Sequence, residues 1–464
     1  MLKYFSALLM AQRIIIPSLL AALFIVIFSL HTLNRHFSFN SHAFDLGIHT
    51  QATYLYSQGL TPFSTLKHML ILADHFGLIL LLISPLYKLF PDASTLLILQ
   101  AIFVALSCIP IYAIAQDRLK NTLVSFLIAL SYLTSQGIIS AVNFDFHLAT
   151  ISVLPLSLIL YFWYFKKWRM YWIILALSLT FKEDIPIFIL GLGLFQIIKR
   201  EIKLGLLTVI FALVSVYIIK FQIMPFLWAG ASSAYLSASI LPINQPLDLI
   251  LLILTRPSIF TDQLFNSPIK MQTVDELYRS FDFLPVLSIL SWLTVFPSLF
   301  LRFSSTYIQT WTNNFHHSAN LIPFLAVSSI FALSKFNIPL RPVIILFIFF
   351  LFTGGLAPNG LVWGVIKNPI QDISHLQYIQ KSLQTISSSA SVSAQSPIIP
   401  HLANREQIFF FPEVFGAEYI VLDSSLSSYP MNPDSLKERI ATFKKSNYWK
   451  IKLEDRSLII FQRR

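Results

Sequence analysis

Short loops between long apolar segments carry charges of alternating kind, and this sorting constrains the chain more than any single motif. The turns at residues 117–120, 166–169 and 199–203 are basic, whereas those between them, at 143–147 and 182–184, carry carboxylates beside histidine or lysine. Lysine and arginine bias loops toward the cytoplasm. One face of the protein is therefore basic, and the opposite face holds the acidic and histidine-bearing turns. A soluble fold has no reason for such alternation and could not bury the apolar surface: 55% of residues are hydrophobic and only 12% charged, against roughly one-quarter charged in soluble domains. The net charge of +11 then reads as cytoplasmic loops and a basic tail, not as a nucleic-acid surface. The single cysteine, Cys108, lies within an apolar segment, so the chain has no intramolecular disulfide framework.

The first apolar stretch, residues 14–33, has the length of about 20 residues that a bilayer core requires. Lys3 and Arg13 precede it and no small-residue cleavage site follows, so it reads as a retained anchor with a cytoplasmic N-terminus. The polar and aromatic residues that follow, through His75, would lie outside. Residues 78–90 are apolar but short, and Pro85 and Lys88 interrupt them, which suits a re-entrant or interfacial helix. Segments 94–116, 121–139, 148–165, 170–181, 185–198 and 204–221 then alternate in direction and keep the basic turns on one side. Residues 224–282 form a mixed outer segment with an amphipathic piece at 247–254. Apolar stretches follow at 284–301, after Asn320 and at 343–352, giving about nine to twelve apolar segments in all, with Arg302 as a cytoplasmic or interfacial anchor. After Lys367 the composition becomes that of a small soluble module. Tyr419-Ile420-Val421-Leu422 reads as a buried strand, 435–445 as a helix with a polar face, and 448–452 and 457–462 as closing strands. The expected fold is an α-helical polytopic membrane domain, 1–366, with an outer first loop at 34–77, followed by a small α/β domain, 367–464.

Acidic and histidine residues gather on the face opposite the basic turns. The first outer loop contributes His42, Asp45, His49 and Gln51, then Asp74 and His75. Later turns contribute Asp145 and His147; Lys182, Glu183 and Asp184; and His316 and His317. A carboxylate at membrane depth costs about 2.5–3.5 kcal/mol, so such groups pair or line watery cavities, and loops offering Asp, Glu and His together look like one site. A carboxylate beside a desolvated pocket can act as general base toward a hydroxyl, with Lys or His stabilising an anionic leaving group. Asp and His from separate loops can also hold a divalent ion such as Mg or Mn. The chain has no phosphate-binding loop, dinucleotide fingerprint, zinc-protease helix or nucleophile elbow. A membrane lipid fits this pattern better than a soluble nucleotide. Taken singly, His42, His49 and Gln51 read as packing or loop polar groups rather than as ligands.

Several ordered motifs carry a resemblance: Phe44-Asp45-Leu46-Gly47 with Gln51, Asp74-His75-Phe76, Asn143-Phe144-Asp145-Phe146-His147, Lys182-Glu183-Asp184, His317-Ser318 with Ile322-Pro323-Phe324, and Val392-Ser393-Ala394-Gln395-Ser396 with His401-Leu402 and Arg405. Together they resemble the prokaryotic membrane-protein family of domain of unknown function 2079, over nearly the whole chain from Phe44 onward. That family is similar in turn to the GT-C superfamily of polytopic glycosyltransferases. The resemblance implies inverting transfer of a sugar from a polyprenyl-phosphate-linked donor to a glycan, lipid or protein acceptor, on the extracytoplasmic face of the plasma (inner) membrane. It implies Asp45 as general base and Asp145 with His147 positioning it or sharing Mg or Mn. Lys182 and His316 or His317 would hold the lipid phosphate, and Glu183 and Asp184 would orient them or bind sugar hydroxyls. Gln51, Asp74 and His75 are the further substrate-binding candidates. The Asp/Glu-x-Asp form common in the first loop of GT-C enzymes is absent, since Ala43 lies two before Asp45, so metal dependence does not follow from the resemblance. Two other classes fit the same residues. An ion- or proton-coupled transporter should show inverted repeats, and no second copy of the pattern is visible; a non-catalytic lipid or saccharide receptor would bind without turnover.

Overall fold

The computed structural model describes residues 2–228, 255–256, 258–336, 338–353 and 373–464. The amphipathic piece expected at 247–254, and residues 354–372 around the expected domain junction, lie outside this set. Among the described residues, five helical stretches are long and apolar enough to cross a membrane: Ile14–Phe37, Ala93–Leu119, Thr122–Asn143, Ile202–Leu227 and Ile308–Lys335. Five shorter apolar helices accompany them, Ile79–Leu89, Leu148–Tyr164, Ile185–Ile198, Ile289–Phe303 and Arg341–Leu351. Helices are what such segments must form, because a lipid-exposed backbone can satisfy its polar groups only within itself. Their bounds follow the apolar runs of the sequence, and the short stretch after the first loop is an 11-residue helix, Ile79–Leu89. By density of contacts the chain divides into two compact units: residues 1–28, 100–144 and 148–367 in the first, and residues 29–99, 145–147 and 368–464 in the second.

The first unit is the helical bundle. Its core is aliphatic and aromatic, and buried hydroxyls and amides bridge its helices. Tyr132 Oη lies 2.7 Å from Ser107 Oγ, Ser152 Oγ donates to Asn320 Oδ1 at 2.6 Å, and Tyr171 meets both Thr208 and Gln196. Helices Ile185–Ile198 and Ile202–Val216 approach so closely that a Cβ on Gly205 would sit 2.7 Å from the Gly193 carbonyl oxygen. Small residues at such crossings let helix backbones touch, the usual means of packing where no hydrophobic drive separates lipid from helix. The charge sorting of the sequence becomes spatial here. Arg118, Lys199, Glu201 and Lys335 line one cavity of about 310 Å³ with Trp163, Tyr164, Phe195 and Phe331. Trp163 Nε1 donates to Glu201 Oε2 at 2.8 Å and Tyr164 Oη to Asp117 Oδ2 at 2.8 Å, so the basic turns share one end of the bundle. Elsewhere in the unit, Phe144 packs edge-on against Phe315 at 5.1 Å and against His316 at 5.7 Å, which unites two of the acidic and histidine-bearing stretches.

The second unit joins the first loop to the C-terminal module. Five strands, β3 (Val392–Ala394), β4 (Ile408–Phe410), β5 (Tyr419–Asp423), β6 (Trp449–Asp455) and β7 (Leu458–Arg463), form a sheet in the order β4-β3-β5-β7-β6. β3 runs parallel to β4 and β5, while β7 is antiparallel to β5 and β6. The unbroken apolar runs of β5 and β7 are explained by burial on both faces. Val421, Leu458 and Ile460 join a core with Val392, Ala394, Ile399, Phe39 and Ala43, so first-loop residues cover one face. Ile420, Leu422, Ile459 and Phe461 turn the other way, toward Leu436 of the helix Pro433–Lys444 and Trp449. The first loop also carries a hairpin of its own, β1 (Phe63–Ser64) with β2 (Met69–Leu70).

Candidate functional site

Asp45 lies in the second unit, in the wide turn Ala43–Gly47 that opens the helix Ile48–Ser57. Phe44 (φ −69°, ψ 133°) and Asp45 (φ 70°, ψ −77°) depart from helical geometry. The Asp45 angles are those of a γ-turn with positive φ, a strained form. Such a conformation costs about 1–3 kcal/mol in a non-glycine residue and persists only where its surroundings over-determine it. They do so here. The Gly47 N–H donates to the His42 carbonyl at 3.2 Å, His49 Nδ1–H to the Asp45 carbonyl at 2.6 Å, and the Ala43 N–H to Ser396 Oγ at 3.2 Å. Gly47 itself is required by contact, since a Cβ there would lie 2.7 Å from Ile399 Cγ2. The consequence is that the Asp45 side chain stands 21% exposed beside buried His147 and His49 and half-buried His75.

His147 is the centre of that group. It is buried, with its Nε2 3.9 Å from Asp45 Oδ1. The rings of His49 and His75 stand nearly perpendicular to it, at 5.7 and 5.6 Å. Asp145, two residues earlier, is held differently. Its Oδ2 accepts the His42 N–H at 2.7 Å, and its Oδ1 lies 3.7 Å from Arg35 Nη1. Burial lifts its carboxyl to a pKa of about 7, against the pull of Arg35 and of the His42 N–H and helped by the charge of Asp45. The same desolvation, followed by the repulsion of Arg35, lowers the pKa of His42. Asp145 thus braces the entry to the Asp45 turn, and both its oxygens face protein donors.

The remaining residues singled out in the sequence sort plainly. Asp74 ends the short helix Ile71–Asp74 and pairs with Lys67 at 3.3 Å. The Gln51 amide is buried and structural, bonded to Thr65 through both its oxygen and nitrogen and to the Glu406 carbonyl. Lys182, Glu183, Asp184, His316 and His317 belong to the helical unit. There Lys182 Nζ pairs with Asp184 Oδ2 at 3.3 Å, Glu183 is buried, and the His316 and His317 rings lie 4.2 Å apart. Arg302 corrects an expectation. It is no interfacial anchor, because its guanidinium turns inward onto the Thr310 and Thr312 carbonyls and Ser318 Oγ, bracing the loop that leads to His316. Asp145 also fits a metal ligand poorly, since its oxygens are engaged by Arg35 and the His42 N–H. Sequence reasoning passed over Arg35, which sits in the last turn of the helix Leu2–Phe37 and reads as a charge at a span's end. Ser396 entered only as part of a motif, with no role assigned to it.

The structure is similar to the crystal structure of ArnT from Cupriavidus metallidurans bound to undecaprenyl phosphate, with a TM-score of 0.53 and 12% sequence identity over 96% of this chain and 97% of that one. The likeness establishes the fold. By sequence the chain belongs to the family Predicted membrane protein (DUF2079), which matches residues 35–459. No curated protein sequence matches it.

Proposed function

We propose that this protein is an inverting glycosyltransferase of the plasma (inner) membrane, with a cytoplasmic N-terminus, that moves a sugar from a polyprenyl-phosphate carrier to an acceptor on the extracytoplasmic face. The observation that carries the reading is Asp45: a carboxylate held in a strained turn, partly exposed beside buried His147, within a GT-C-like fold. In the reaction, an acceptor hydroxyl attacks the anomeric carbon from the side opposite the lipid phosphate. The bond from that carbon to the phosphate oxygen breaks, the hydroxyl proton passes to the Asp45 carboxylate, and the lipid phosphate leaves. Asp45 acts as base, His147 orients it, and Asp145 maintains the turn through the His42 N–H. Lys182, with His316 or His317, is assigned to the phosphate, and Glu183 and Asp184 to orienting Lys182 or the sugar hydroxyls. That ArnT binds undecaprenyl phosphate supports a lipid-phosphate donor. Asp45 and His147, 3.9 Å apart, are within reach of a single Mg or Mn ion at about 2.1 Å, and histidine as a ligand favours Mn of the two. Such an ion would supply charge stabilisation to the departing phosphate. The test is transfer from polyprenyl-phosphate-linked sugars by the purified protein: Asp45→Asn should abolish transfer while leaving donor-induced thermal stabilisation intact. Transfer retained by the variant would remove Asp45 as the base.

A further inference from the structure

The C-terminal ends of the parallel strands meet the Asp45 turn, where the Ala43 N–H donates to Ser396 Oγ. β4 and β5 lie on either side of β3, so the chain reverses its direction of winding around β3. In open α/β sheets, ligands settle outside the carboxyl ends of the strands at such a switch point. Here β3 runs out into Gln395 and Ser396, β4 ends at Phe410, and β5 leads into the loop carrying Tyr429. All three exits are engaged in one assembly. Ser396 Oγ takes the Ala43 N–H, Gln395 Nε2 holds the Ser427 carbonyl at 3.2 Å, and the Phe410 ring lies 5.3 Å from Phe44 and 6.4 Å from Tyr429. Phe44 and Tyr429 are 40% and 58% exposed, although neither belongs to a membrane-spanning helix.

We infer that Phe44, Phe410 and Tyr429 form a shelf that seats a sugar ring of the acceptor, with its hydroxyl delivered to Asp45, one residue from Phe44. This deepens the glycosyl-transfer reading and rests on it. A pyranose fits because its C–H face packs on aromatic rings, whose faces are electron-rich, while its edge hydroxyls need polar neighbours. The His68–Glu413 pair, at 3.0 Å, is assigned to them, since the Glu413 N–H donates to the Phe410 carbonyl at 3.0 Å. A lipid tail would instead need a continuous apolar groove, and no ion pair would border it.

The experiment uses the full chain in lipid nanodiscs, free of sugar-headed detergents. Saturation-transfer NMR is run with maltotriose and chitotriose as probes and glycerol as control, on wild type, Tyr429→Ala and Phe410→Ala. Saturation of the sugar ring protons, with affinity falling about two- to tenfold in Tyr429→Ala and nothing for glycerol, is the expected result. No saturation of either saccharide, or saturation equal in all three proteins, overturns the shelf. Saccharide binding that depends on Tyr429 in a protein devoid of transfer would keep the shelf and sink the enzyme reading. Undiminished transfer by both variants would do the reverse.

Discussion

Two acidic turns of the second unit, Ala43–Gly47 and the stretch 145–147, hold their carboxylates in opposite ways. Asp145 is 1% exposed, accepts a backbone N–H and faces an arginine, and its backbone needs no strain to do so. Asp45 has an unfavourable backbone held by three hydrogen bonds around it, and its side chain is turned partly outward. On the proposed reading, the difference separates a brace from a base. A brace maximises partners; a base must keep reach toward a substrate, and conformational strain marks sites where function overrides stability.

Four measurements can break or sharpen that contrast. The largest effect belongs to Asp45→Asn, which should lower transfer by about 10²–10⁴-fold, the usual range for a general base, whereas Asp145→Asn should lower it far less, because the amide oxygen can still accept the His42 N–H. Equal losses would erase the distinction. Next, Asp145→Ala should destabilise the protein by about 1–3 kcal/mol, since it orphans that buried N–H; denaturant unfolding reads it. Third is pH. An acid whose native pKa lies above its unfolded value binds its proton more readily when folded, so Asp145, raised from 3.8 to about 7, favours the native state below about pH 4 and loses that contribution as pH rises through about 7. The melting temperature should therefore fall across this window in wild type and fall less in Asp145→Asn. The smallest effect is a gain: Asp45→Gly should stabilise the fold by about 1 kcal/mol by relieving positive φ, with transfer lost. A destabilised glycine variant would contradict the strain.

Much of the bundle was legible because its signals are local. Apolar runs, interrupting basic turns and the unbroken strands at 419–422 and 457–462 each declare themselves within a window of twenty residues. β3 and β4 did not, being three residues long and supported by pairing with distant strands; Ser393 gives no hint of a fully buried position. The candidate acidic and histidine residues were readable as types, and Asp145 and His147 do lie against the Asp45 turn. Their division of labour was not readable. Whether a carboxylate is a brace or a base depends on Arg35 and the His42 N–H, which lie over a hundred residues away. Arg302 shows the same limit: an arginine closing an apolar segment looks identical whether it faces lipid headgroups or the carbonyls of its own loop.

The second unit is assembled from the beginning, the middle and the end of the chain. The covering of the sheet by Phe39 and Ala43, and the hydrogen bond from Ala43 to Ser396, join residues made early in translation to residues made some 350 positions later. The helices can enter the membrane one after another, but the strained turn cannot be held until residues 368–464 have emerged and folded. During synthesis the helices are therefore made before the strained turn can be held, and residues 368–464 complete it.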